Sequence, residues 1–266
     1  MSASFGRIWA IAVNTFREAI RSRVLYGIGV MAALLTALGA AIGSMSLHEE
    51  ARVARDVSVA GVSFFGMITA VYLGVSMLYA EIQKKTIHTI LAKPIERHEF
   101  VLGKYLGMVI SLTIMTAIFA TALEGQLQIQ DTALTPPVIM AVVLGYCEVL
   151  IVAAVAVFFS SFSSPFLSGI FTVMVWLFGR WTDEILDAAA HASVPAARWI
   201  AGAAMRVIPD LHLFSISGSE LDGQHVSIHG SFISWGYVAH ASGYALLWIA
   251  VLLLFASLIF RRRDFL

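Results

Sequence analysis

Val138-Ile-Met-Ala-Val-Val-Leu-Gly-Tyr-Cys-Glu-Val-Leu-Ile-Val-Ala-Ala-Val-Ala-Val-Phe-Phe159 is one apolar run interrupted by a single ionisable group, Glu148. A helix needs about 20 such residues to cross a hydrocarbon layer roughly 30 Å thick. Lipid offers the backbone no hydrogen-bond partner, so a run of this length must satisfy its own amides as a helix. Five further runs obey the same rule: Val24–Gly43, Ala60–Tyr79, Tyr105–Leu123, Phe166–Trp181 and Phe232–Phe260. The expected fold is therefore an all-α integral membrane protein with six transmembrane helices. The fifth run is short, whereas the last is long enough to tilt or to extend past the membrane.

Composition agrees with this. Of 266 residues, 59% are hydrophobic and 13% charged, and the mean hydropathy is +0.84. That is more apolar surface than one soluble domain could bury. Six spans leave only short connections, so residues 1–266 read as a single transmembrane domain without space for a separate catalytic one. Formal charge is zero, which gives no argument for a nucleic-acid partner. The one cysteine, Cys147, excludes an internal disulfide and a cysteine-based zinc cluster. Arg7, Arg17, Arg21 and Arg23 are spread through residues 1–23, unlike the layout of a signal peptide, so no cleavage is expected. Between them Ile8, Trp9, Ala12, Phe16, Ala19 and Ile20 recur at helical spacing, as in an interfacial helix lying along the inner leaflet.

Orientation follows from the basic residues. With both termini in the cytoplasm, that side collects Arg7, Arg17, Arg21, Arg23, Lys84, Lys85, Lys93, Arg97, Lys104 and Arg261 to Arg263, or 12 of the 17. The opposite side receives Arg52, Arg55, Arg180, Arg198 and Arg206 with most of the acids. Two connections are long enough to hold structure. Residues 81–104 are expected in the cytoplasm, with Ile87, Ile90 and Leu91 forming the apolar face of a short helix that Pro94 stops. A second helix opens near Glu96 and runs into the third span. Residues 182–231 are expected outside, as an amphipathic stretch over Ile185–Val207 and then a polar loop, together capping the outer leaflet.

The cytoplasmic segment carries a resemblance. Glu81, Lys84-Lys85-Thr86-Ile87, Ile90-Leu91-Ala92-Lys93-Pro94-Ile95, Arg97, Phe100 and Leu102-Gly103-Lys104 resemble the first intracellular loop of type-2 ABC transporter permeases. Pro209-Asp210-Leu211 with Phe214, the basic tail Arg262-Arg263-Asp264-Phe265, and the interfacial helix are similar to that family as well. More narrowly they resemble its branch linked to maturation of multi-copper enzymes such as nitrous oxide reductase. The resemblance implies a permease subunit in a bacterial cytoplasmic (inner) membrane, multi-pass, working mostly as an exporter and paired with a second copy as a homodimer. It implies no catalytic residue and no cofactor on this chain, with ATP and magnesium held by a separate ABC ATPase subunit. The ATPase-coupling helix would comprise Glu81, Lys84, Lys85, Thr86, Ile87, Ile90, Leu91, Lys93, Pro94 and Arg97. The second and fifth spans would line the central path, placing Phe64, Phe65, Met67, Phe171, Met174, Val175 and Trp176 along it.

Other readings come from the residues themselves. No Gly-x-x-x-x-Gly-Lys-Ser/Thr loop is present in the sequence, so ATP could be used only through another chain. The cations of residues 81–104 equally suit anchoring to anionic headgroups. Glu148, mid-span beside Tyr146 and Cys147, is either a working group on the path or a helix–helix contact. As a working group it would suit an ATP-independent secondary transporter or channel. Alternatively, residues 182–231 could hold a periplasmic partner in a structural or assembly role. The pairs Gly39/Gly43 and Gly103/Gly107 permit close helix approach without naming the partner. His225 and His229, with His212 and Asp222 nearby, could suggest a metal site, but two histidines in a polar loop read as solvated residues rather than metal ligands.

Overall fold

The computed structural model describes residues 2–22, 26, 29–30, 34, 60–61, 63–76, 96–129, 136–192, 195–215, 219–221, 224–226 and 234–262. Most of the expected first span, Val24–Gly43, and most of the coupling segment, from Glu81 to Ile95, lie outside them. The helices are α1 (Ser2–Arg21), α2 (Ser63–Ser76), α3 (Arg97–Ile129), α4 (Pro136–Ser160), α5 (Pro165–Arg180), α6 (Thr182–His191), α7 (Pro195–Val207) and α8 (Trp235–Arg262). Between the last two, a 3-10 turn covers His212–Phe214. The polar loop expected there contains a small antiparallel hairpin, β1 (Ser219–Leu221) with β2 (Gln224–Val226), Glu220 opposite His225.

Among the described residues three helices are long and apolar enough to cross a membrane: Arg97–Gly125 of α3, Val138–Ser160 of α4 and Trp235–Arg261 of α8. Helix α4 is the centre of the packing. Its span is 67% buried within the chain, against 33% and 28% for the other two, as expected of a helix apolar on every side. Shorter apolar helices, α2 and α5, complete the group around it.

Contacts fix the helix directions. Tyr105 donates through its hydroxyl to the Leu150 carbonyl at 3.1 Å, and the Thr113 and Tyr146 hydroxyls meet at 2.6 Å, so α3 and α4 are antiparallel. Helix α2 runs parallel to α4 and almost touches it. A Cβ on Gly66 would lie 2.4 Å from Val149 Cγ2, and one on Gly74 would lie 2.4 Å from Ala156 Cβ. Ser160 Oγ donates to the Gly74 carbonyl at 3.1 Å. The link to α5 is a tight turn that ends on Ser164 in extended backbone, with Pro165 opening the next helix. At the start of α3, the Arg97 guanidinium donates to the carbonyls of Phe260 (3.2 Å) and Arg261 (2.8 Å), while the Phe100 and Phe260 rings stack at 5.7 Å. The first turn of α3 and the last of α8 therefore share one end of the bundle.

Helix α1 packs lengthwise against α3. Arg7 forks onto Glu99, Nε to Oε2 at 2.8 Å and Nη2 to Oε1 at 2.6 Å, and Ser4 Oγ donates to the same carboxylate at 2.5 Å. Glu99 also accepts the Glu96 amide at 3.2 Å, so it caps α3 and anchors α1 at once. The Glu99 partnership raises the pKa of Arg7. Farther along, Gly103 lies under Ile11 and Gly107 under Thr15, where a Cβ would fall 2.7 Å and 2.5 Å from the facing Cβ atoms. The glycine pair that the sequence left unassigned thus seats α1. The apolar face expected to lie on the leaflet is divided: Ala12 and Ala19 are buried, whereas Trp9 and Ile20 stay exposed.

Opposite signs are expected for one substitution at two glycines of α3. Gly107→Ala drives a Cβ to 2.6 Å from the Ala12 carbonyl, backbone that cannot step aside, and costs about 1–3 kcal/mol. Gly125→Ala meets nothing within 4 Å and is neutral or gains up to about 1 kcal/mol. Thermal unfolding of both variants in detergent checks the pair.

Candidate functional site

Close approach of α2 to α4, and the hairpin of α4 with α5, bring three sequence-distant polar residues to one buried point. Glu148 is 1% exposed, yet its carboxylate is saturated by donors from two neighbouring helices. Ser63 Oγ donates to Oε2 at 2.5 Å. The Trp176 indole donates to Oε1 at 2.8 Å. Arg180 Nη1 spans both oxygens at 2.9 and 3.1 Å and also reaches Ser63 Oγ at 2.9 Å. Charge-assisted bonds of this kind are the strong ones, and an ionised carboxylate at depth requires them. The Arg180 guanidinium also sits 5.7 Å from the Trp176 ring centre, a cation–π arrangement. Arg180 lies in the last turn of α5, where the helix dipole favours a cation.

A clasp holds this corner from the other side. The Leu211 amide donates to the Gly179 carbonyl at 2.8 Å. Gly179 admits the contact because a Cβ there would stand 2.5 Å from the Pro209 carbonyl. The same strap is tied to α8: Tyr237 donates its hydroxyl to the Leu213 carbonyl at 2.5 Å, and the Asp210 amide donates to Tyr244 Oη at 2.8 Å. His212 pairs through Nδ1 with Asp183 at 2.7 Å, and its amide donates to Asp210 Oδ1 at 3.1 Å. Burial raises the Asp210 carboxyl above its ordinary range against the opposing pull of that amide. Ser215, at the end of the strap, lies with Oγ 3.4 Å from Arg180 Nη2.

Expected path residues divide between two environments. Phe64, Phe171 and Met174 are exposed on the outer side of α2 and α5, and Trp176 is half-buried beside Glu148. Phe65 and Met67 instead face the interior, 8% and 5% exposed. Of the expected coupling residues only Arg97 is among those described, bound to the end of α8; Glu81, Lys84, Lys85, Thr86, Ile87, Ile90, Leu91, Lys93 and Pro94 lie outside them. Among the described residues no group of three His, Cys, Asp or Glu could hold a metal ion. Sequence reasoning marked Glu148 but counted Arg180 as a flanking charge. Both lie roughly three to four turns from the Ser160–Pro165 link, so folding α4 and α5 into a hairpin at that link would have paired them.

A family model described as ABC-2 family transporter protein matches residues 9–265. The chain belongs to that family. It is accordingly an ABC permease subunit and a membrane protein. The matching description names the family and no branch of it. No curated protein matches the chain. In this ABC-2 family permease Glu148, Arg180, Ser63 and Trp176 form a bond network joining α2, α4 and α5.

Removing one partner strands the other. Arg180→Met leaves the Glu148 carboxylate buried and is expected to destabilise the permease by about 3 kcal/mol. Combining it with Glu148→Met removes the stranded charge and recovers most of the loss. Melting temperatures of wild type, both single variants and the double variant read this coupling; simple additivity of the two losses would contradict it.

Proposed function

We propose that this chain forms the membrane path of an ATP-driven ABC exporter, as one of two copies, each docked on a separate ATPase subunit. The observation that carries the reading is the family match from residue 9 to residue 265. Six spans with both termini in the cytoplasm of a bacterial inner membrane fit the distribution of arginine and lysine. The arrangement of helices is compatible with it: α3 and α4 are antiparallel, α2 and α4 parallel, and α8 ends beside the start of α3.

In this reading residues 81–104 form the coupling segment, with Ile87, Ile90 and Leu91 seated in a cleft of the ATPase and Lys84, Lys85, Lys93 and Arg97 around them. Its movement reaches the bundle by the first turn of α3, which Glu99 ties to α1 and Arg97 to α8. The Glu148–Arg180 network then has the character of a latch: it holds α2, α4 and α5 in one packing, and transport requires that packing to change. The exposed face carrying Phe64, Phe171 and Met174 is where a second copy and the transported molecule meet. A secondary transporter would need Glu148 to exchange its partner with a coupling ion. Three donors from this same chain occupy the carboxylate, which favours the latch.

Affinity purification from native membranes tests the proposal. A Walker-motif ATPase is expected to accompany wild type in stoichiometric amount and to be lost with Ile90→Glu and Leu91→Glu. Its absence from wild type, with transport intact, would replace the ABC assembly by an ATP-independent carrier.

A further inference from the structure

Helix α1 lies on α3 with Arg7 at Glu99, Ile11 over Gly103 and Thr15 over Gly107, and it ends at Arg21. The row of small residues on α3, Gly103, Gly107 and Ser111, one turn apart, is followed beyond that end by the larger Met115 and Ile118. There, beside the last turn of α1, a cavity of about 450 Å³ opens. Its walls are Phe16 and Ile20 of α1, Tyr26 and Gly29 beyond it, and Ile114 and Ile118 of α3, among others of the same kind. The Ser111 hydroxyl on that wall is already bound to the Gly107 carbonyl at 2.9 Å, so the wall leaves little for water to bind. Ser22 Oγ meets Tyr72 Oη at 2.7 Å and fixes the end of α1 to α2 above the opening.

Charge borders this apolar cleft on one side. Arg17 and Arg21 each follow a wall residue, Phe16 and Ile20, and so stand about 100° farther round α1. Both are exposed, and neither side chain is paired among the described residues. The neighbouring acid, Glu18, is directed to Lys104, whose Nζ is 3.7 Å from it. An apolar slot with two exposed guanidinium groups on the adjoining face of α1 matches one amphiphile: a fatty chain carrying an anionic phosphate.

We propose that this cleft is a binding site for a phospholipid of the inner leaflet, its acyl chain between α1 and α3 and its anionic headgroup on Arg17 and Arg21. The lipid fills the space beyond the glycine row, beside the last turn of α1, and the site does not depend on ATP coupling. Basic residues at the cytoplasmic surface attract anionic lipid generally. Here the cleft supplies the retention that a bare surface patch lacks.

The test is native mass spectrometry of the full chain, purified in mild detergent and exposed to mixed micelles of phosphatidylglycerol and phosphatidylethanolamine. Wild type is expected to retain phosphatidylglycerol in preference. Arg17→Gln with Arg21→Gln lowers that preference roughly tenfold or more, and Ile118→Trp, which fills the slot, abolishes retention. Leu254→Trp, on the exposed face of α8, leaves retention as in wild type. Equal binding of the two lipids by wild type would overturn the proposal, as would retention unchanged by both the arginine pair and Ile118→Trp. Loss of a dimer on filling the slot would assign the cleft to a second copy and also overturn it. Should Ile118→Trp fail to fold, the arginine variant decides alone, because its substitutions are on the surface.

Discussion

A carboxylate in a low-dielectric interior must find its solvation in the protein, and Glu148 finds it on α2 and α5. Ser63, Trp176 and Arg180 replace the water that the group would otherwise hold, and each can do so only at a particular helix separation. The small residues at the α2–α4 contact, Gly66 against Val149 and Gly74 against Ala156, set that separation. Without them Ser63 could not reach the carboxylate. The strap from Pro209 to Ser215 completes the enclosure by binding the end of α5 to α8. Packing at α4, the polar network and the strap are thus consequences of accommodating one charge.

The second organising contact lies at the other end of the bundle. Glu99 there is fully buried by α1 and serves two helices, capping one and gripping the other. An Arg7 fork and a glycine seam together make α1 part of the helical core rather than a float attached to it. Any displacement of the segment preceding Glu96 must therefore be felt by α1, and through Arg97 by the end of α8. The two sites are complementary: one fixes helices relative to each other at depth, the other gathers three helix ends where a partner's motion would enter.

Much of this was legible in the sequence because apolar run length is a strong signal. The run Val138–Phe159 lies within α4 (Pro136–Ser160), Phe166–Trp181 nearly coincides with α5, and the helix expected to open near Glu96 begins at Arg97. Pairing was less legible. Arg180 lies 32 positions from Glu148, and its charge at the end of an apolar run reads equally well as an interfacial anchor. Gly103 and Gly107 announced a close neighbour but could not name α1. The Pro209-Asp210-Leu211 motif carried a resemblance without a reason; the reason is tertiary, the Leu211 amide given to the Gly179 carbonyl and the Asp210 amide given to the Tyr244 hydroxyl. Phe65 and Met67 were placed on a path because their helix was, although the side of a helix that faces inward depends on neighbours that sequence alone does not supply.

The bond between Leu211 and Gly179 also closes a circle. The chain leaves the bundle at the end of α5, runs through α6 and α7, and returns to almost the same place. Residues 182–208 are therefore an excursion whose two ends are stitched together by backbone. The entropy of closing such a loop rises only slowly with its length, and its ends are fixed whatever lies between them. The junction of α6 and α7 is accordingly a tolerant place for inserted sequence, where an epitope or a reporter domain could be carried without disturbing the stitched ends of the excursion.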